Sequence, residues 1–187
     1  MSDPAAHGTH PRGSGEADRA RKLRELADDL SASRGAAADP ESIAADWLTR
    51  PGVLRRLAGL LATGISPETD RVVAIGAGAA VLGCAVSLAS GLPFVAIAHD
   101  GPSAADDGPS LTVFGRVRPS ETIAILSLFD EAYDDVRSHL VESDVVVSGR
   151  QVVLVPHSTA NARGAHDPGS LFALDDAQHI TPRKEET

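Results

Sequence analysis

The chain has 187 residues, 42% of them hydrophobic, which predicts one domain with a sizeable core and leaves too little chain for two. Its formal net charge of -9, with lysine only at Lys22 and Lys184, argues against a broad basic surface for nucleic acid or anionic lipid. No apolar run approaches the roughly 20 residues that span a bilayer. The sequence therefore predicts neither a nucleic-acid nor a membrane partner, and its single cysteine, Cys84, favours the reducing cytoplasm.

The two ends of the chain differ from the middle in composition. Residues 1–18 are rich in Gly, Pro, Ser and His without hydrophobic periodicity, which predicts a disordered leader. Residues 159–187 are similar, and we expect a mostly disordered tail in which Leu171, Phe172 and Leu174 dock locally. One α/β domain is expected between them, over residues 19–158.

Three helices are predicted before the first strand. Residues 19–33 place apolar side chains on one face at helical spacing. Pro40, after Asp39, begins a short helix that reaches Trp47, and Pro51 begins the third helix.

A strand, a turn, a helix and a second strand follow. The run RVVAI at 71–75 predicts a buried strand, and a small-residue helix is predicted over 79–89, where Cys84 is expected to pack in the core. The apolar residues 92–98 predict the second strand.

The rest of the chain continues the alternation of strands and helices. We expect a loop at 99–110, an edge strand or hairpin at 111–117, a strand at 122–129, a helix at 130–147 and a strand at 151–155. This order predicts a three-layer α/β fold with a mainly parallel sheet. Ligands in such sheets bind beyond the carboxyl ends of the strands, here after Ile75, Ala98 and Phe129.

The order of segments from residue 48 to residue 155 resembles an orotate phosphoribosyltransferase of the type I phosphoribosyltransferase family. The resemblance lies in a helix after Arg50-Pro51, then RVVAIGAGAAVLGCAVSLASGLPFVAIAHDG, then FGRVRPSETIAIL, and it is most specific over 72–97. It implies the type I fold, a homodimer, a small phosphorylated or nucleotide-like ligand and, in an active enzyme, Mg²⁺.

The resemblance also implies a ligand-binding turn after the first strand. The residues of this turn are Gly76, Ala77, Gly78, Ala79 and Ala80. Two further candidate ligand-binding residues, His99 and Asp100, stand at the end of the second strand and do not follow from the resemblance. Small residues at a helix start let backbone N–H groups approach an anion, although any strand-to-helix junction favours small residues. A lone histidine at a strand end can equally be structural.

The acidic pair that holds the ribose hydroxyls in the family has two possible registers. Aligned without gaps from Pro119, it falls on Ser127 and Leu128, and a three-residue slip moves it to Asp130 and Glu131. The slip leaves residues 134–138 (DDVRS) as the phosphate loop, which lacks glycine and carries negative charge. Acids at this place can also simply complement a helix dipole.

Basic side chains that neutralise pyrophosphate in orotate enzymes are missing too. Residues 99–110 contain no Lys or Arg, and residues 39–47 stand in the place of a basic hairpin. We therefore predict a phosphoribosyltransferase-like protein, catalytically impaired, that acts as a ligand-binding or regulatory module.

Two alternatives remain open. One is an active, divergent phosphoribosyltransferase that uses Asp130 and Glu131 with Mg²⁺. The other is a dinucleotide-binding domain built on Gly76-x-Gly78 and Asp100, against which Val81 occupies the third glycine position and is expected to hold the helix off the strand. The scattered histidines have no metal-ligand spacing, so a zinc site is not expected.

Overall fold

The computed structural model describes residues 13–33, 40–100, 110–130, 133, 136, 140, 143–156, 169–174 and 179–183. The described helices are α1 (Gly13–Ser33), α2 (Pro40–Leu48), α3 (Pro51–Thr63) and α4 (Ala79–Ser90). The strands are β1 (Arg71–Ile75), β2 (Phe94–Asp100), β3 (Ser110–Phe114), β4 (Thr122–Ser127), β5 (Val146–Pro156), β6 (Gly169–Leu174) and β7 (Ile180–Pro182). No helix within these ranges is long and apolar enough to cross a membrane.

The strands form one seven-stranded sheet in the order β3-β2-β1-β4-β5-β6-β7. Neighbours from β2 to β6 pair in parallel, whereas β3 and β7, at the two ends of the order, pair antiparallel to β2 and β6. The mainly parallel sheet and the antiparallel strand after the second strand are as predicted.

Both faces of the sheet are covered, which confirms the three-layer α/β fold with N-terminal helices. On one face the core contains Leu26 of α1, Trp47 of α2 and Leu57 of α3, each fully buried. On the other face Val136 and Leu140, in helical conformation between β4 and β5, pack against alternate residues of the central strands.

Local sequence explains where the helices begin and end. Pro51 takes the first position of α3, where a missing N–H costs nothing, and Arg50 before it is extended. Gly78 and Gly91 bound α4 in left-handed conformations that glycine adopts without strain. Helix α1 begins at Gly13, earlier than the predicted residue 19, and so extends into the segment expected to be a disordered leader.

The C-terminal third corrects two predictions. Strand β5 begins at Val146, so the predicted helix at 130–147 ends before the β-branched run, after a turn in which Asp144 has φ 52°. Strands β6 and β7 lie inside the predicted tail, where the apolar stretch after Gly169 buries Leu171 and Phe172. The expectation of a mostly disordered segment from residue 159 is therefore wrong for residues 169–174 and 180–182, because a short apolar run can complete a sheet whose neighbouring edge is already formed.

Candidate functional site

The strand order places a crevice between β1 and β4. From β1 the chain moves to β2 on one side and then returns to β4 on the other, which is the topological switch at which such sheets bind ligands. The last residues of the two strands, Ile75 and Ser127, are directly paired. The structure thus brings together two predicted site segments, the turn after β1 and the segment after β4.

The turn after β1 is held in shape by its own backbone. Gly76 and Gly78 have φ of 80° and 70°. The N–H of Gly76 donates to the carbonyl of Ile97 at 2.9 Å, and the N–H of Ala79 donates to the carbonyl of Gly76 at 3.1 Å. These two amides are therefore committed within the protein. Gly78 and Ala80 are exposed, so the open part of the turn is at the start of α4.

Helix α2 packs directly on this turn. A Cβ added to Gly78 would lie 2.2 Å from Cδ1 of Leu48 and 3.7 Å from Cβ of Ala44. The neighbouring Trp47 is fully buried, and its ring centroid lies 6.2 Å from that of Phe129, just after β4. The segment that stands in the place of the family's basic hairpin is therefore an apolar helix that covers one side of the crevice.

In the alignment without gaps, the acidic pair falls on Ser127 and Leu128, and neither residue supplies a carboxylate to the crevice. Ser127 is 1% exposed, and its Oγ has no hydrogen-bond partner among the described residues. Leu128 is fully buried in the core. Neither side chain can hold a pair of ribose hydroxyls as two acids would.

In the slipped register, Asp130 is held by an arginine of the neighbouring strand. The guanidinium of Arg150, in β5, forms an ion pair with the Asp130 carboxylate, and the two side chains are 10% and 9% exposed. Its Nη2 also donates to the backbone carbonyl of Asp130 at 3.2 Å, and its Cζ lies 3.8 Å from the ring centroid of Tyr133. Opposite charge, hydrogen bonding and an aromatic face together fix this arginine.

Sequence reasoning missed Arg150. The available signal is a charged residue inside the strand sequence VVSGRQVVLVP, because a buried cation needs a partner. Its partner lies 20 residues earlier in the chain and cannot be identified from local spacing.

The remaining predicted site residues are only partly described. His99 and Asp100 are the last residues of β2 and pair with Leu111 and Ser110, but their side chains lie outside the described part of the structure. Glu131 also lies outside the described residues. Within the ranges given above, no group of three or more His, Cys, Asp or Glu side chains could hold a metal ion.

Two residues of α4 differ from expectation. Cys84 is exposed instead of packed in the core. Val81 is 45% exposed, so it points away from the sheet and does not hold the helix off the strand. Helix α4 packs on the sheet through Ala79, which clusters with Ala74 and Ala96, and through Gly83, where an added Cβ would lie 3.0 Å from Cβ of Ala74.

No family model and no curated protein matches this chain. Among solved structures, the chain is similar to adenine phosphoribosyltransferase from Rhodothermus marinus, with 17% identity, 81% of this chain and 99% of that chain covered, and a TM-score of 0.58. It is also similar to the Trypanosoma brucei adenine phosphoribosyl transferase in complex with AMP, pyrophosphate and ribose-5-phosphate, with 13% identity, 81% and 80% covered, and a TM-score of 0.57.

A third similar structure is UMP synthase from Leishmania donovani, with 15% identity and a TM-score of 0.54. The match covers 80% of this chain and 36% of that chain, so the likeness extends over about a third of the larger protein. Identities this low show the fold and not the activity. The chain has the type I phosphoribosyltransferase fold, as the sequence predicted.

Proposed function

We propose that this chain is a phosphoribosyltransferase-like protein that binds a small phosphorylated or nucleotide-like ligand in the crevice between β1 and β4, with impaired catalysis and a regulatory role. The type I fold and the turn at Gly76–Ala80 support the binding part of the proposal. The ligand is placed by analogy, since the Trypanosoma brucei protein is complexed with AMP, pyrophosphate and ribose-5-phosphate.

The ion pair of Asp130 with Arg150 is the observation that best supports impaired catalysis. A carboxylate that holds ribose hydroxyls must offer its oxygens to the ligand, whereas this one faces a guanidinium inside the protein. The other register gives Ser127 and Leu128, which have no charge at all. Neither alignment of the described residues provides the electrostatic stabilisation that departure of pyrophosphate requires.

The start of α4 is the best-supported anion contact. Gly78 and Ala80 are exposed residues at the positive end of the helix dipole, and the first turn of α4 has no acidic side chain. The orotate branch remains our proposal on the sequence resemblance, and a homodimer and a cytoplasmic location are proposed on the same ground.

Ligand titration with matched variants tests the proposal. Orotate, adenine, AMP, UMP and phosphoribosyl pyrophosphate with Mg²⁺ are titrated separately while the melting temperature is followed, because binding to the native state must raise it. Ala80→Glu places a carboxylate at the exposed start of α4, and Ala89→Glu makes the same change at an exposed position near its other end.

We expect at least one phosphorylated compound to raise the melting temperature of the wild type and of Ala89→Glu but not of Ala80→Glu. Turnover of phosphoribosyl pyrophosphate with orotate or adenine should stay near background. Steady turnover at an ordinary enzymatic rate would overturn the impairment and favour the active, divergent enzyme. No shift with any compound would overturn the binding part.

The dinucleotide-binding alternative has less support. A mononucleotide-binding half needs a third parallel strand, but β3 is antiparallel to β2. A rise in melting temperature with NAD⁺ and none with the phosphorylated compounds above would favour this alternative.

A further inference from the structure

A cavity of about 320 Å³ lies toward the amino ends of β4, β5 and β6, whereas the crevice between β1 and β4 lies at the carboxyl ends. Its lining includes Ala124, the third residue of β4, residues 148–151 of β5, and Gly169, the first residue of β6. The end of α3 forms another part of the wall at Thr63 and Gly64. The volume falls within the range of about 300–1,000 Å³ that is typical of small-molecule sites.

The floor of this cavity is made of small residues. Gly149 pairs with Ala124, and Gln151, two residues after Gly149 and on the same face of β5, pairs with Gly169. Apart from its chain neighbours, a Cβ added to Gly149 would meet no heavy atom within 4 Å. Open space therefore lies directly over the strand backbone, where a planar ring can rest without a clash.

A β-bulge lies at the edge of the floor. Val147 pairs with Ile123 and Gly149 pairs with Ala124, so Ser148 has no partner residue in β4. The hydroxyl of Ser148 instead donates to the carbonyl of Ile123 at 3.0 Å. Bulges of this kind are common next to functional sites, because they turn a side chain away from the regular pattern of the strand.

The hydroxyls of the wall supply both hydrogen-bond acceptors and a donor. Thr63 donates to the carbonyl of Leu60 at 2.7 Å, so its oxygen, like that of Ser148, is left to accept. The hydroxyl of Ser66 accepts from the N–H of Glu68 at 3.4 Å, which leaves its own hydrogen to donate. A ligand that matches this wall carries donors and acceptors together.

Gln151 adds an amide with the same double character. A Cβ on Gly64 would lie 2.9 Å from Oε1 and 3.0 Å from Nε2 of Gln151, so glycine at the end of α3 is what leaves room for this amide. A glutamine amide can bind the edge of a nucleobase through two hydrogen bonds at once, as it does with adenine in nucleic-acid complexes.

The charge of the lining disfavours a phosphorylated ligand. Among the described residues that line the cavity, Arg150 alone is charged, and its guanidinium is held by Asp130 and lies over the ring of Tyr133. A phosphate placed here would lose water without a cation to neutralise it. A neutral molecule suits the cavity better.

We propose that this cavity is a second ligand site, which binds a neutral nucleobase, either free or as part of a nucleoside. The small floor accommodates the ring, and the amide of Gln151 with the hydroxyls of Thr63, Ser66 and Ser148 matches the donors and acceptors along its edge. The inference rests on the amino ends of β4, β5 and β6 and does not depend on what the crevice binds.

Equilibrium dialysis of the full chain against adenine, adenosine, uracil, uridine and ribose tests the proposal. We expect at least one base or nucleoside to bind with a dissociation constant below about 1 mM, and ribose alone not to bind. Binding of a free base identifies the base itself as the ligand, and binding of its nucleoside shows that the site also admits the sugar.

Matched variants assign the binding to this cavity. Gly149→Leu projects a side chain into the open space and should raise the dissociation constant at least about 100-fold. Gly52→Leu is the control, because Gly52 is exposed at the start of α3 and a Cβ there also meets nothing within 4 Å. Gln151→Leu removes the amide at similar size and should raise the dissociation constant about 10-fold. Circular dichroism checks that each variant is folded.

Three results would overturn the proposal: no binding of any compound at about 1 mM, ribose binding as tightly as the bases, or the same affinity in Gly149→Leu as in Gly52→Leu. Ala80→Glu separates this cavity from the crevice, since it changes the turn after β1 and should leave the dialysis result unchanged. Binding that Ala80→Glu abolishes and Gly149→Leu preserves would place the compound in the crevice and would also overturn the proposal.

Discussion

Arg150 of β5, which is in register with Ile125 of β4, forms a nearly buried ion pair with Asp130, which follows β4, and its guanidinium lies over the ring of Tyr133. The pair occupies the place where one alignment puts a ribose-binding carboxylate. The Asp130 carboxylate is held by Arg150, so it is not available to a ligand in the crevice. The same ion pair contributes to the stability of the fold. A charge pair of this kind is costly to break from one side only, because the remaining charge stays buried.

Replacing Arg150 by Met should destabilise the protein by about 3 kcal/mol in urea unfolding, since it removes the guanidinium that neutralises the nearly buried Asp130 carboxylate. The matched control is Arg56→Met, which breaks the exposed pair with Asp29 and should cost less than about 1 kcal/mol. The double variant Arg150→Met/Asp130→Leu should recover much of the loss. Equal losses for the two single arginine variants would contradict the role assigned to this pair.

A second ion pair, between Arg71 and Glu121 at the amino ends of the central strands β1 and β4, makes stability depend on pH. Hydrogen bonds from Arg71 lower the pKa of Glu121 from 4.5 to about 2, and the N–H of Arg118 contributes to the shift. Because the folded pKa is the lower one, the stabilisation is fully present above the ordinary value of 4.5 and is lost as the pH falls toward 2.

Glu121→Gln should therefore cost about 2 kcal/mol at pH 7, and the difference from wild type should shrink progressively between about pH 5 and pH 2. Unfolding free energies measured by denaturant titration at several pH values check this. Glu68→Gln removes the same charge from an exposed residue and should change the unfolding free energy at pH 7 by no more than about 0.5 kcal/mol. A constant difference between Glu121→Gln and wild type down to pH 2 would show that charge on Glu121 is not responsible.

The contact between Leu48 and Gly78 can be tested by comparing Gly78 with Gly91, because both glycines have a positive φ and only Gly78 lies next to Leu48. Gly78→Ala and Gly91→Ala both introduce a side chain at positive φ, which costs about 1 kcal/mol, but only Gly78→Ala also meets a side chain of α2. We expect an additional loss of about 1–3 kcal/mol for Gly78→Ala in thermal and chemical unfolding. In a Leu48→Ala background this extra loss should vanish, and its persistence would mean that α2 does not cover the turn.

The sequence predicted those parts of the fold whose signals are local. The apolar run of β1, the glycine-bounded helix α4 and Pro51 at the start of α3 each carry their own periodicity or end signal. Strand β6 was not predicted as part of the sheet, because its few apolar residues become stable only next to β5. In the same way, Asp130 was identified as a candidate acid, but its partner Arg150 belongs to a different strand and only the assembled sheet joins them.

Substitution of Ser127, at the end of β4, tests whether its buried hydroxyl has a hydrogen-bond partner in the free protein. It lies on the same strand face as Ile123 and Ile125, which pack in the core with Val136, and its Oγ has no partner among the described residues. A buried hydroxyl without a partner has lost its hydrogen bonds to water and has formed none within the protein, which is unfavourable for folding. Ser127→Ala should therefore leave the unfolding free energy unchanged or raise it by up to about 1 kcal/mol.

The matched control is Ser148→Ala, since Ser148 donates to the carbonyl of Ile123 at 3.0 Å and lies 2.9 Å from the hydroxyl of Thr69. Its loss should cost about 1 kcal/mol in the same urea titration. A comparable loss for Ser127→Ala would show that its hydroxyl has a partner in solution. In that case the end of β4 is a satisfied polar site.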